Sequence, residues 1–146
     1  MKADARLAGD FTLGIFKLNG QMLASGERLA RPVGLTVAWW QVLGAVLHEP
    51  LTASGVAREM GITRQAVQRV ANRLRDDGLL ETLPNPAHKR APLLTPTKAG
   101  YTAVQRIAPQ QAAFADRIVE HFGRQRLEEL VASLHAMSRT IDETGP

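Results

Sequence analysis

Four side chains able to read the edges of nucleic-acid bases recur on one side of a single helix-length segment. Residues 64–76 run RQAVQRVANRLRD. Stepped at about 100° per residue, Gln65, Gln68, Arg69 and Asn72 share one arc, with Arg64, Arg73 and Arg75 on its shoulders. Asn and Gln match the donor and acceptor of adenine, and Arg the two acceptors of guanine, each good pair giving about 1–3 kcal/mol of discrimination. Arginines on the shoulders reach phosphates and fix register without reading sequence. A helix that merely solvates itself would carry mixed Glu and Lys there. A second cationic group, His88-Lys89-Arg90, sits in a loop with Pro84 and Pro86 and suits an adjacent minor groove or its phosphates.

The charge balance points the same way. Between Ala53 and Lys98 there are eight Lys and Arg against four Asp and Glu, so the whole formal excess of +4 lies in one third of the 146 residues. A positive field beside a neutral body is what phosphate binding requires. With 45% hydrophobic residues the chain can build an ordinary globular core. It has no apolar run of membrane-spanning length and no signal-peptide pattern, so the expectation is a cytoplasmic protein without membrane partners. The absence of cysteine removes disulfides, thiolate metal sites and thiol redox sensing.

The elements that must position these groups follow from periodicity and punctuation. Leu7, Phe11, Ile15, Leu18 and Met22 predict a first helix over about 6–29, weakened by Gly14, Gly20 and Gly26. Thr36 caps a second helix to about residue 47, with Trp39, Val42, Leu43 and Val46 as its stripe, and Glu49-Pro50 ends it. Thr52 or Ser54 opens a short helix to Met60, Gly61 turns the chain, and Thr63 caps the base-reading helix, which stops at Gly78. Behind its polar arc, Val67, Val70 and Leu74 form an apolar seam, which Val56, Met60 and Ile62 complete into a small core. Ala57 and Gly61 supply the small residue and the backbone reversal that two steeply crossing helices need. Residues 79–83 and 92–95 predict two strands around the basic loop, and Thr95-Pro96 a helix entry with proline in the first turn. Val104, Ile107, Ala112, Ile118 and Phe122 suggest a long fifth helix, bent near Pro109, and Leu127 to Ile141 a sixth after Gly123. The expected fold class is mainly α with a small β-hairpin wing: a winged helix-turn-helix lobe plus a helical region.

At this point the chain resembles the MarR family of winged helix-turn-helix bacterial transcription regulators. The likeness rests on Leu51-Thr52, Val56-Ala57, Gly61-Ile62-Thr63, Val67, Leu74, Gly78-Leu79, Asn85-Pro86, Lys89-Arg90 and Leu94-Thr95-Pro96-Thr97-Lys98-Ala99-Gly100. It extends outward to Gly34-Leu35-Thr36, Trp40 and Val42-Leu43. The resemblance implies a homodimer clamped by the first, fifth and sixth helices, with residues 1–34 and 101–146 as dimerisation region and 35–100 as DNA-binding lobe. It implies an operator-binding repressor, less often an activator, released by a small molecule, often a phenolic or other aromatic acid, or by another signal. The DNA-binding residues would be Thr63, Arg64, Gln65, Gln68, Arg69, Asn72, Arg73 and Arg75 on the helix, and His88, Lys89 and Arg90 on the wing. That family usually has an acidic residue where Asn85 and His88 stand, so a looser, more cationic wing is expected here. Pro92 removes a ladder donor from the second strand.

The case for a dimer does not need the resemblance. The first and last helices carry apolar stripes at the chain ends, where one copy has little left to cover them, although the two stripes could also pack on each other. Trp39 and Trp40 point about 100° apart. Core packing explains both at the lower cost; the alternative puts one of them on a crevice, where the resemblance implies an aromatic ligand. His48, His88, His121 and His135 have no close metal spacing, and neither a phosphate loop nor a nucleophile elbow is present, so neither a metal, a cofactor nor an enzyme is expected. Two rivals to a sequence-specific regulator remain: a winged-helix protein-interaction module and a non-specific architectural DNA binder. The first would place apolar or acidic residues where Gln65, Gln68, Arg69 and Asn72 stand.

Overall fold

The structure, a computed structural model, describes residues 2–146, with side chains described from residue 3. In chain order it contains α1 (Lys2–Ala30), a 3-10 turn (Arg31–Val33), α2 (Val37–Ala45), α3 (Ala53–Met60), α4 (Arg64–Asp76), β1 (Leu80–Leu83), β2 (Leu93–Pro96), α5 (Lys98–Phe122) and α6 (Arg124–Thr144). This is the mainly helical fold with a hairpin wing that the sequence predicts. Threonine opens three of the helices in the same way. The hydroxyl oxygens of Thr36, Thr52 and Thr63 accept from the N–H groups of Trp39, Gly55 and Ala66 at 3.0–3.1 Å. Each satisfies a donor the helix cannot, worth about 1 kcal/mol. α2 has a second cap that the sequence does not advertise. The Glu27 carboxylate, on α1, accepts from the Val37 N–H at 3.1 Å and puts negative charge at a helix N-terminus.

The chain divides into two compact units, one ending at Ile107 and the other comprising Ala108–Pro146. The division falls inside α5, beside Pro109. In the first unit Val42, Leu43, Val46, Val56, Val67, Leu74, Leu80, Leu94 and Ile107 are buried in one apolar cluster, with Trp39, Trp40, Met60 and Val70 packed partly against it. α1 reaches α2 closely because Gly26 has no side chain: a Cβ there would lie 2.6 Å from Val37 Cγ2. Between α3 and α4, Gly61 takes φ +65°, and the Ile62 N–H returns to the Ala57 carbonyl at 3.1 Å. This is the reversal predicted from the Ala57–Gly61 spacing. Ile62, predicted to close the small core, is instead 37% exposed, because the residue after a left-handed turn is carried away from the helix pair.

The hairpin pairs Leu80 with Pro96 and Leu83 with Leu93, antiparallel. Leu51 adds a third, isolated bridge, exchanging both backbone hydrogen bonds with Leu94. Two expectations about proline are corrected here. Pro96 ends β2 rather than opening α5, since Thr97 supplies the cap: its hydroxyl accepts from the Gly100 N–H at 3.1 Å and donates to the Gly78 carbonyl at 2.6 Å. Pro92 precedes β2 and costs no ladder bond. In the second unit, Gly123 at φ +100° separates α5 from α6, and the Arg126 guanidinium lies 4.3 Å from the Phe122 ring centroid. No α6 residue is buried.

Candidate nucleic-acid interface

α4 is held by its apolar side alone. Val67, Ala71 and Leu74 are buried, while Arg64, Gln65, Arg69, Asn72, Arg73 and Arg75 are exposed. Gln68 is half-buried and sits toward the hairpin, bordering a small notch with Arg64, Arg75, Ser54 and Thr82. On the opposite flank Trp39, from α2, borders a shallow groove with Arg69, Asn72, Arg73 and Asp76. The predicted polar ridge is therefore continuous and open, with Gln65, Arg69 and Asn72 at its centre and Gln68 at its edge. Thr63 spends its acceptor on the cap and leaves its hydroxyl proton free at the helix start.

Electrostatically the ridge is uncompensated. Among the described residues the one ion pair within 4.0 Å joins Arg31 to Glu27, away from α4. None of Arg64, Arg69, Arg73, Arg75, Lys89 and Arg90 is matched to a carboxylate of the described chain. A polyanion would supply counter-charge to such a surface most densely.

Within the wing loop, Asn85 is the main polar link. The Asn85 amide donates to the Ala91 carbonyl at 2.9 Å across the loop, and its oxygen accepts from the Ala87 N–H at 3.1 Å. The His88 N–H returns to the Asn85 carbonyl and the Ala91 N–H to the His88 carbonyl, both at 3.2 Å. These bonds tie the loop across itself through a neutral amide, a different link from the ion pair that a carboxylate would make with a basic residue. His88, Lys89 and Arg90 project from this loop, all exposed.

Comparison with known proteins decides the family. The MarR family profile matches residues 33–91, from the turn before α2 to the end of the wing loop. An uncharacterized protein of Mycobacterium tuberculosis is 38% identical over 142 residues, 97% of this chain and 96% of that protein. The chain belongs to the MarR family. Transcriptional activatory protein BadR of Rhodopseudomonas palustris is 27% identical, across 96% of this chain and 82% of BadR. Among solved structures, the transcriptional regulator BldR from Sulfolobus solfataricus superposes with TM-score 0.80 at 18% identity, covering 97% of this chain and 99% of BldR. The transcriptional repressor CouR, solved on a 23-mer DNA duplex, superposes at 0.76 with 22% identity, covering 90% and 94%. These last two likenesses concern the fold. This MarR-family chain is a DNA-binding transcription regulator, not an enzyme, and among its described residues no helix is long and apolar enough to cross a membrane.

Trp39 and Trp40 are divided between two surroundings. Trp39 faces the flank of α4, whereas Trp40 lies near Gly26 on α1. Neither lines the larger cleft, of about 610 Å³, bounded by Val33, Leu35, Leu79, Lys98, Thr102 and Arg106. Sequence reasoning passed over this cleft. Lys98, Thr102 and Arg106 recur every four residues, alongside the small Ala99 and Ala103, and that spacing puts cations and a hydroxyl above an open floor on one helix face. The same reasoning missed Asn85 as the wing's fastener, because its partner lies six residues away across the loop.

Proposed function

We propose that this MarR-family regulator binds a near-palindromic operator as a homodimer and represses transcription from it. Each α4 enters a major groove, and each basic wing tip reaches the adjacent minor groove. A two-fold axis then separates the half-sites by about 10 base pairs or one further turn. The observation that carries this reading is the uncompensated ridge: six exposed cations on α4 and the wing without a carboxylate partner among the described residues, around amides at base-reading positions. The base and phosphate contacts fall to Thr63, Arg64, Gln65, Gln68, Arg69, Asn72, Arg73, Arg75, His88, Lys89 and Arg90.

Dimerisation is supported by apolar surface on the terminal elements. On α1, Leu7, Phe11, Ile15, Leu18 and Met22 make one face with 36–69% of each residue exposed. On α6, Leu130, Val131, Leu134, Met137 and Ile141 make another, 37–51% exposed. Contiguous apolar faces of this length mark an association surface. Residues 1–34 and 101–146 would form it, leaving 35–100 as the DNA-binding lobe. For release, the cleft beside Lys98, Thr102 and Arg106 suits a small aromatic acid, with a cationic rim for the carboxylate and Val33, Leu35 and Leu79 for the ring. CouR has been solved with p-coumaroyl-CoA and Staphylococcus aureus MarR with salicylate.

Titration against a palindrome from the region beside its own gene and against scrambled DNA, at several salt concentrations, tests the reading. Expected is preference for the palindrome by about 10³-fold or more, with a stoichiometry of two chains per site. Equal affinity for both duplexes would make it an architectural binder, and no binding at low salt would make it a protein-interaction module. Because CouR is named a repressor and BadR an activatory protein, the sign needs its own measurement. Deleting the gene should raise the adjacent transcript.

A further inference from the structure

On the recognition ridge the side chain of Asn72 is already half spoken for. Its Oδ1 accepts from Gln68 Nε2 at 2.9 Å and from Arg75 Nη2 at 3.2 Å. These partners stand four residues before and three after, the spacings at which helix side chains meet. The amide could in principle be turned either way, but Arg75 removes the choice. A guanidinium only donates, so the atom facing it has to be the carbonyl oxygen, and Gln68 must then present its NH2. Both lone pairs of Oδ1 are occupied, and what Asn72 offers outward is its NH2 group, two donors and no acceptor.

We propose that Gln68 and Arg75 lock Asn72 as a donor-only reader, so that it selects guanine or thymine rather than the adenine expected of an asparagine in the major groove. This deepens the operator-binding reading and rests on it. Adenine recognition by an amide is bidentate: the oxygen accepts from N6–H while the nitrogen donates to N7. With the oxygen engaged, half of that pair is lost, and the adenine N6–H would face an occupied acceptor. Guanine N7 and O6, or thymine O4, ask only for donors. Gln65 differs: it is exposed and has no side-chain hydrogen bond among the described residues, so it retains both functions and remains the adenine reader of the ridge. Arg75 acts here as a positioning residue, reaching the base through Asn72.

Selection from a randomised duplex library, read by sequencing, tests the lock. Wild type and Asn72→Ala are compared first, and the position at which only the alanine variant loses preference is the one Asn72 reads. Guanine or thymine should be favoured there in wild type. The double variant Gln68→Ala/Arg75→Ala frees the oxygen, and adenine should gain about tenfold or more over guanine at the Asn72 position, apart from any preference lost elsewhere with the contacts of Gln68 and Arg75 themselves. Arg75→Lys, which still donates, should keep the wild-type preference. Because selection compares sequences within one variant, a general loss of affinity does not obscure the result. Adenine favoured already in wild type, or an unchanged preference in the double variant while binding remains selective, would overturn the lock and leave the operator reading intact. Absence of any sequence preference in the wild type would overturn both.

Discussion

Thr97→Val removes a single hydroxyl at the joint between the wing and α5, and its cost can be worked from two bonds. In the native chain that hydroxyl donates to the Gly78 carbonyl at 2.6 Å and accepts from the Gly100 N–H at 3.1 Å. Valine has nearly the same shape, so no cavity term enters. Each bond contributes about 1 kcal/mol net, and the Gly100 donor, on a buried residue, is left without its acceptor, which brings the loss to about 2–3 kcal/mol. Thr97→Ser keeps the hydroxyl and should cost under about 0.5 kcal/mol. Urea unfolding followed by circular dichroism, at one fixed protein concentration because association would shift the midpoint, gives both values. The slope of free energy against urea should be unchanged. A loss below about 0.5 kcal/mol for valine, or serine as damaging as valine, would refute the claim that this hydroxyl ties the start of α5 to the turn after α4.

Three further outcomes follow from the same contacts. Gly26→Ala would press a methyl against Val37 Cγ2 and should destabilise by about 1–3 kcal/mol despite alanine's better helix propensity, seen as a lower thermal midpoint. Arg69→Ala, at the centre of the ridge, should lose about 1–3 kcal/mol of operator affinity and relax preference at one base position in a binding-site selection; a uniform loss would assign Arg69 to the backbone instead. Arg90→Ala, on the exposed wing tip, should weaken binding to every sequence alike and lower the slope of log affinity against log salt by about 0.9, measured by fluorescence anisotropy.

What could be read from the sequence was what local rules control. The Thr36 and Thr63 caps, the left-handed Gly61 turn and the amphipathic split of α4 each depend on residues within a few positions of one another and stand where expected, and of the two candidates for the α3 cap it is Thr52 rather than Ser54. Pro96 shows where such rules compete: proline suits a first helical turn and a strand end about equally, and the Thr97 hydroxyl, with partners on both sides, settles the boundary two residues later. Features that need a distant partner were hidden. Glu27 caps a helix ten residues on, Asn85 needs the Ala91 carbonyl, and Leu51 finds Leu94 across the fold. On the ridge itself, residue types could be read directly but their occupancy could not, since only side-chain placement reveals that the Asn72 oxygen is taken.

The ridge also explains why α4 owes its stability to the inward face. Arg69 and Arg73 stand four residues apart, a spacing at which like charges oppose the helix by a few tenths of a kcal/mol, and among the described residues no carboxylate lies within 4.0 Å of either. Arg73 and Arg75 recover part of this by lying in the last turn, where the helix dipole favours cations. The remainder falls to the Thr63 cap and to the buried trio of Val67, Ala71 and Leu74, each valine or leucine giving about 1.5–3 kcal/mol on burial. That excess permits a face chosen for an external polyanion rather than for the helix. Surface ion pairs would have stabilised α4 slightly, but each would have had to be broken on binding, and the energy released at the phosphates would have been spent within the protein.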